Sequence, residues 1–143
     1  MKTDAFVTKS SEETQKLAEQ IGENLKGGEI LALFGNLGAG KTTFVQGLAK
    51  GLGIKERIIS PTFVLIRQHK TRDLVFYHID LYRLQNLTEL KELELEEILN
   101  NKDRIVVIEW AEKIRDLLPE KRIDIHFEYI DENKRKITIK KYG

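Results

Sequence analysis

The stretch "GNLGAGKT", Gly35 to Thr42, fits the pattern G-x-x-x-x-G-K-[ST] without adjustment. An apolar run, "EILALF" (29–34), leads into it, and "KTTFVQGLAKGLG" leads out with helical spacing and glycines at 51 and 53 to close it. A buried strand, a Gly-rich turn and a helix in that order commit the chain to an α/β fold and to a loop that cradles phosphate. Gly35, Gly38 and Gly40 let the backbone turn tightly and bring its N–H groups toward phosphate oxygens. The following helix points its positive pole at the same anion. Lys41 then reaches the β and γ phosphates as a point charge, and the Thr42 hydroxyl is placed to ligate Mg²⁺. The candidate nucleotide contacts therefore run through Gly35, Asn36, Leu37, Gly38, Ala39, Gly40, Lys41, Thr42 and Thr43.

The remaining segments read as the rest of such a fold. "DAFVTK" is a short strand, and Ser10 with Glu13 has the spacing of a capping box that starts a helix. Leu17, Ile21 and Leu25 recur along that helix, and Gly27 and Gly28 are expected to end it. "PTFVLIRQH" and "LVFYHID" read as adjacent strands joined by a polar turn around Thr71 to Asp73. "NLTELKELELEEIL" is helical and acidic, and "RIVVIEW" is a buried strand followed by a short helix ending near Leu118. The tail alternates Ile123, Ile125, Phe127 and Tyr129, then Ile137 and Ile139 across "DENK", as a half-buried hairpin does. The expectation is one domain over 1–143, a three-layer P-loop NTPase-like α/β fold. Its sheet mixes parallel and antiparallel strands and ends in a C-terminal β-hairpin.

A phosphate loop binds nucleotide; hydrolysis asks for a further carboxylate to order Mg²⁺ or water. Glu109 stands at the end of "RIVVIE", where the usual residue is Asp, and the alternative is an exposed strand-end acid. Asp80 is the second candidate. In a strand, Phe76, His78 and Asp80 share a face, so Asp80 exits where a γ-phosphate or its water would lie. The competing reading makes it a turn cap satisfied by backbone N–H groups. His78 reads as a hydrogen-bonded structural residue rather than a proton carrier. Thr62, in "SPTF", occupies the position of a switch threonine or simply the start of a Pro-initiated strand. Trp110, the single tryptophan, is either wall to the site or plain core. "NNKD" (100–103) falls one position short of the guanine-reading N-K-x-D, which favours ATP over GTP.

Composition excludes several other classes. The 24 basic and 23 acidic residues give a net charge of +1, unlike a chain whose main task is coating nucleic acid or an anionic membrane. No cysteine is present for disulfides or thiolate chemistry. No apolar run approaches the roughly 18 residues of a bilayer span, and "MKTDAFVTKSSEETQ" lacks a secretory apolar segment. A cytoplasmic protein with no membrane partner is expected.

Together, "GNLGAGKTTF", "SPTF", "HIDLYRL" and "VIEWAE" resemble the TsaE (YjeE) family of small bacterial P-loop ATPases, from the "SSEET" helix start to the hairpin tail. Asn36 departs from the Asp more usual in the family. The resemblance implies a part in forming N6-threonylcarbamoyladenosine at position 37 of tRNAs that read ANN codons, with TsaD and TsaB as partners and tRNA met through that complex. It implies that Lys41 and the loop backbone hold ATP, that Thr42 and Glu109 are the Mg²⁺ positions, and that Asp80 is needed for hydrolysis. Thr14 is implied near the base. Two other readings stay open. A small-molecule kinase would bring an Arg-rich lid, whereas Arg57, Arg67, Arg72 and Arg83 are scattered. A nucleic-acid-binding module with a structural P-loop would use the tail "KRKITIKK", which otherwise reads as a lysine-protected hairpin edge.

Overall fold

The computed structural model describes residues 2–35, 40–56, 66–86 and 95–143. Asn36, Leu37, Gly38, Ala39, Arg57 and Thr62, named above, lie outside the described residues, as does "LTELKELE" (87–94). Seven strands form one sheet: β1 (Lys2–Thr8), β2 (Ile30–Phe34), β3 (Ile66–Thr71), β4 (Leu74–Asp80), β5 (Arg104–Glu109), β6 (Arg122–Tyr129) and β7 (Arg135–Tyr142). Their order is β1-β7-β6-β2-β5-β4-β3. The pairs β2/β5, β2/β6 and β4/β5 are parallel, and β1/β7, β6/β7 and β3/β4 antiparallel. The mixed sheet and the terminal hairpin agree with the expectation from sequence.

Helices α1 (Ser11–Glu23) and α2 (Lys41–Gly51) cover one face of the sheet. Leu31, Leu33, Phe44, Leu48, Phe76, Val107, Ile125 and Ile137 make the core between them. On the other face Ala32, Ile79, Val106 and Ile108 meet Leu95 of α3 (Leu95–Asn100) and Ala111 and Ile114 of a 3₁₀ segment (Ala111–Leu117). Cores on both faces explain why β2 and β5 are apolar without alternation. That second-face segment is 3₁₀ rather than α, with Ile114 off helical geometry.

Ser10 caps α1 as its spacing predicts, accepting a hydrogen bond from the Glu13 amide at 3.1 Å; the Glu13 carboxylate reaches back to the Lys9 amide at 3.2 Å. The helix stops at Glu23, ahead of Gly27 and Gly28, because the Asn24 amide turns back to Ile21 and Gly22 and its side chain caps the Gln20 carbonyl at 2.7 Å. Its most buried stripe is Thr14, Ala18 and Gly22, with Leu17 and Ile21 on the flank. The reason is the approach of α2. A Cβ added at Gly51 would stand 2.1 Å from the Glu19 carbonyl oxygen, and one at Gly47 would stand 2.3 Å from that of Gln15. Gly51 therefore sits inside α2 as a contact surface rather than closing it. Gly53, at φ +81°, follows the helix end instead.

No described helix is long and apolar enough to cross a membrane.

Candidate functional site

Three parallel strands end side by side. Register pairs Leu33 of β2 with Glu109 of β5, and Glu109 with Asp80 of β4. The chain leaves β2 through Gly35 and enters α2 after Gly40, whose φ of +99° is a left-handed conformation open to glycine and strained for other residues. The first turn of α2 carries no acidic side chain, so its amide pole remains uncompensated from within the helix.

Glu109 is 2% exposed, which removes the reading of an exposed strand-end acid. Its carboxylate is held at both oxygens: Oε1 accepts from the Thr42 hydroxyl at 3.1 Å, and Oε2 meets His78 Nε2 at 2.5 Å. Its carbonyl accepts from the Leu81 amide at 3.1 Å and fixes the turn that leaves β4. Asp80 is buried at the same edge, and its Oδ1 accepts from the Tyr82 amide at 3.0 Å. The turn-cap reading is thus observed, and the register with Glu109 keeps Asp80 at the site as well. Lys113 Nζ donates to the carbonyls of Tyr82 at 2.5 Å and Leu84 at 3.2 Å, pinning "LYRL" to the segment after β5.

Lys41 is buried, with Nζ 2.5 Å from the Gly35 carbonyl and 3.4 Å from the centre of the Trp110 ring. Burial lowers its pKa below that of an ordinary lysine, and Glu112, Glu109 and Asp80 push it back up. Trp110 takes a left-handed backbone (φ +61°), which turns its ring over Lys41 and leaves Tyr82 5.0 Å away between ring centres. It is wall to the site rather than deep core.

Gly35, Gly40, Lys41, Thr42, Asp80, Glu109 and Trp110 are therefore gathered at one end of the sheet, with Thr43 next along α2. Thr14 is engaged elsewhere: its hydroxyl shares a 2.7 Å hydrogen bond with that of Thr8, where β1 meets α1. Among the described residues no cluster of three or more His, Cys, Asp or Glu is placed to hold a metal ion. Thr42 Oγ1 and Glu109 Oε1 are two hard oxygens in contact, a donor set that fits Mg²⁺ completed by phosphate oxygens and waters.

His78 is the residue whose part at the site sequence reasoning missed. Its signal was a histidine two positions before Asp80 in an otherwise apolar strand, since a buried polar group needs a partner. "NNKD" precedes β5 and so lies at the opposite end of that strand from Glu109, with Asn101 Oδ1 bonded to the Asp103 amide at 2.8 Å. That placement removes it from base reading. The "KRKITIKK" strand is not an edge: β1 covers its outer side. Lys136 faces Glu128 across β6, and Lys140 faces Asp124, so acids interleave the basic stripe. Arg72 lies in the turn between β3 and β4, at the opposite end of β4 from Asp80, and donates to the Leu25 carbonyl at 3.3 Å.

Comparison with known proteins adds to this geometry. The family model "Threonylcarbamoyl adenosine biosynthesis protein TsaE" matches residues 8–137. The tRNA threonylcarbamoyladenosine biosynthesis protein TsaE of Rickettsia felis is 43% identical over 94% of this chain and 78% of its own length. That of Bacillus subtilis is 37% identical over the whole chain and 89% of its length. The crystal structure of Bacillus subtilis YdiB superposes with a TM-score of 0.82 at 34% identity, covering 99% of this chain and 87% of that one.

Proposed function

The chain belongs to the TsaE family, and from that premise we propose that it is a Mg²⁺-dependent ATPase needed for threonylcarbamoyladenosine modification of tRNAs reading ANN codons, acting with TsaD and TsaB. The observation that carries the reading is the Thr42–Glu109 contact of 3.1 Å beside buried Lys41, at the ends of three strands. A buried carboxylate paired with the P-loop hydroxyl is the arrangement a Mg²⁺–nucleotide requires.

In this reading residues 1–143 act as one ATPase domain. The loop amides and the amide pole of α2 hold the phosphate chain, and Lys41 leaves the Gly35 carbonyl to meet the β and γ oxygens. Thr42 and Glu109 would hold Mg²⁺, which when bound offsets phosphate charge. Asp80, fixed by the Tyr82 amide, orients the attacking water from the neighbouring strand end. Trp110 shields Lys41 from solvent and strengthens its attraction to phosphate. P-loop proteins without a supplied transition-state charge turn over slowly, so the isolated chain is expected to be a weak ATPase that depends on its complex for speed. The decisive experiment is steady-state ATP hydrolysis by the chain alone and with TsaD plus TsaB of the same source. Marked activation by the pair is expected; indifference to both partners would return the kinase reading to the front.

A further inference from the structure

His78 is completely buried, yet only one of its two ring nitrogens is used. Nε2 lies 2.5 Å from Glu109 Oε2, whereas Nδ1 has no hydrogen-bond partner among the described residues. A histidine there carries a desolvation cost that leucine or methionine would not. What the imidazole supplies in return is a single donor aimed at one oxygen of one carboxylate.

The sheet explains the aim. His78 is in register with Val107 and Asp80 with Glu109, so His78 and Glu109 are diagonal neighbours on the face that carries α2. Glu109 Oε1 already accepts from Thr42. With Oε2 tied to His78, the carboxylate is held at two points. It presents Oε1 to the P-loop hydroxyl rather than swinging toward the Lys41 ammonium. We infer that His78 is a positioning residue: through Glu109 it sets the affinity of the nucleotide site for Mg²⁺ without touching nucleotide or metal. The inference rests on the reading of Thr42 and Glu109 as the Mg²⁺ positions.

Partners that orient a ligating carboxylate typically contribute about 10- to 100-fold in metal affinity. The test is calorimetric ATP binding, titrated with Mg²⁺ and repeated in chelator, for the wild-type chain, His78→Leu, His78→Asn and His78→Gln. Glutamine carries an amide nitrogen at the reach of Nε2, and asparagine carries one only at the reach of Nδ1. His78→Leu and His78→Asn are expected to shift the Mg²⁺ midpoint upward by about 10- to 100-fold, leaving metal-free ATP binding as in the wild type. His78→Gln is expected to restore most of the shift. Wild-type Mg²⁺ dependence in His78→Leu overturns the inference, and so does an equal loss of ATP affinity with and without Mg²⁺. Should His78→Leu fail to fold, the comparison of glutamine with asparagine decides, and equal midpoints in those two overturn it. A wild-type chain whose ATP binding ignores Mg²⁺ overturns the reading of Glu109 itself, an outcome visible before any variant is made.

Discussion

Strand β5 buries all six of its residues, including Arg104 and Glu109, whereas β7, three strands away, alternates between buried and solvent-facing positions. In β5 every polar end is built in. Arg104 donates to the carbonyls of Ile98, Leu99 and Gly28, and Glu109 is held by Thr42 and His78. In the hairpin Lys136 and Glu128 face each other across the ladder toward solvent, an exposed pair of the kind that contributes little, whereas Asp124, opposite Lys140, is buried and held by Arg122 at 2.7 Å. A strand covered on both faces keeps a polar group only when the fold supplies its partner. The central half of the sheet thus concentrates the chemistry at its strand ends, and the hairpin half contributes mainly hydrophobic burial.

The sharpest way to break this division is Ile137→Ala. Ile137 is fully buried in the α1–α2 core from the hairpin side, and the truncation should cost about 2–5 kcal/mol of stability. Chemical denaturation would measure that loss, and ATP turnover per folded molecule should remain at the wild-type level. A turnover that falls with stability held constant would make the hairpin part of the site. Next in size is Asp80→Ala, which should lower single-turnover hydrolysis about a hundredfold while equilibrium ATP binding persists. Equal loss of both would mean that Asp80 serves the fold of the turn alone.

The smallest effect concerns pH. His126 stacks on Phe34 with ring centres 4.8 Å apart, and its pKa lies below the ordinary 6.5, through burial first and then Lys140 and Arg115, against Asp124 and Glu112. The folded chain therefore keeps this imidazole neutral where the unfolded chain has begun to take up a proton. Stability should decline as pH falls from 6.5 toward the lowered folded value. His126→Phe, which keeps the stack, should flatten that part of a melting-temperature profile; an unchanged slope would assign it to other groups.

Much of the central half was legible from the chain alone. "GNLGAGKT" with its flanks identified β2 and the start of α2, and the run before Glu109 identified a buried strand. Local pattern works there because strand, turn and helix are consecutive. It fails where the partner is distant. His78 and Glu109 are 31 residues apart and meet only through the β4–β5 register. The pairing of β1 with β7 joins opposite ends of the chain, so "KRKITIKK" looked like an edge. Leu17, Ile21 and Leu25 do pack on the core as their spacing predicts, but the closest contact of α1 was not legible for a related reason. Leucine and isoleucine spacing marks hydrophobicity, whereas the tightest contact is set by the absence of side chains at Gly22, Gly47 and Gly51.

Trp110 gives the protein an optical property. It is the only indole in the chain, and a single ammonium lies 3.4 Å from its ring centre. Ultraviolet emission at the indole wavelength therefore comes from one place, and its excited state is sensitive to that neighbouring charge. In the proposed reading, withdrawal of Lys41 toward a phosphate would change the field at the ring without any unfolding. The chain thus carries its own unlabelled reporter of the lysine at the heart of its site.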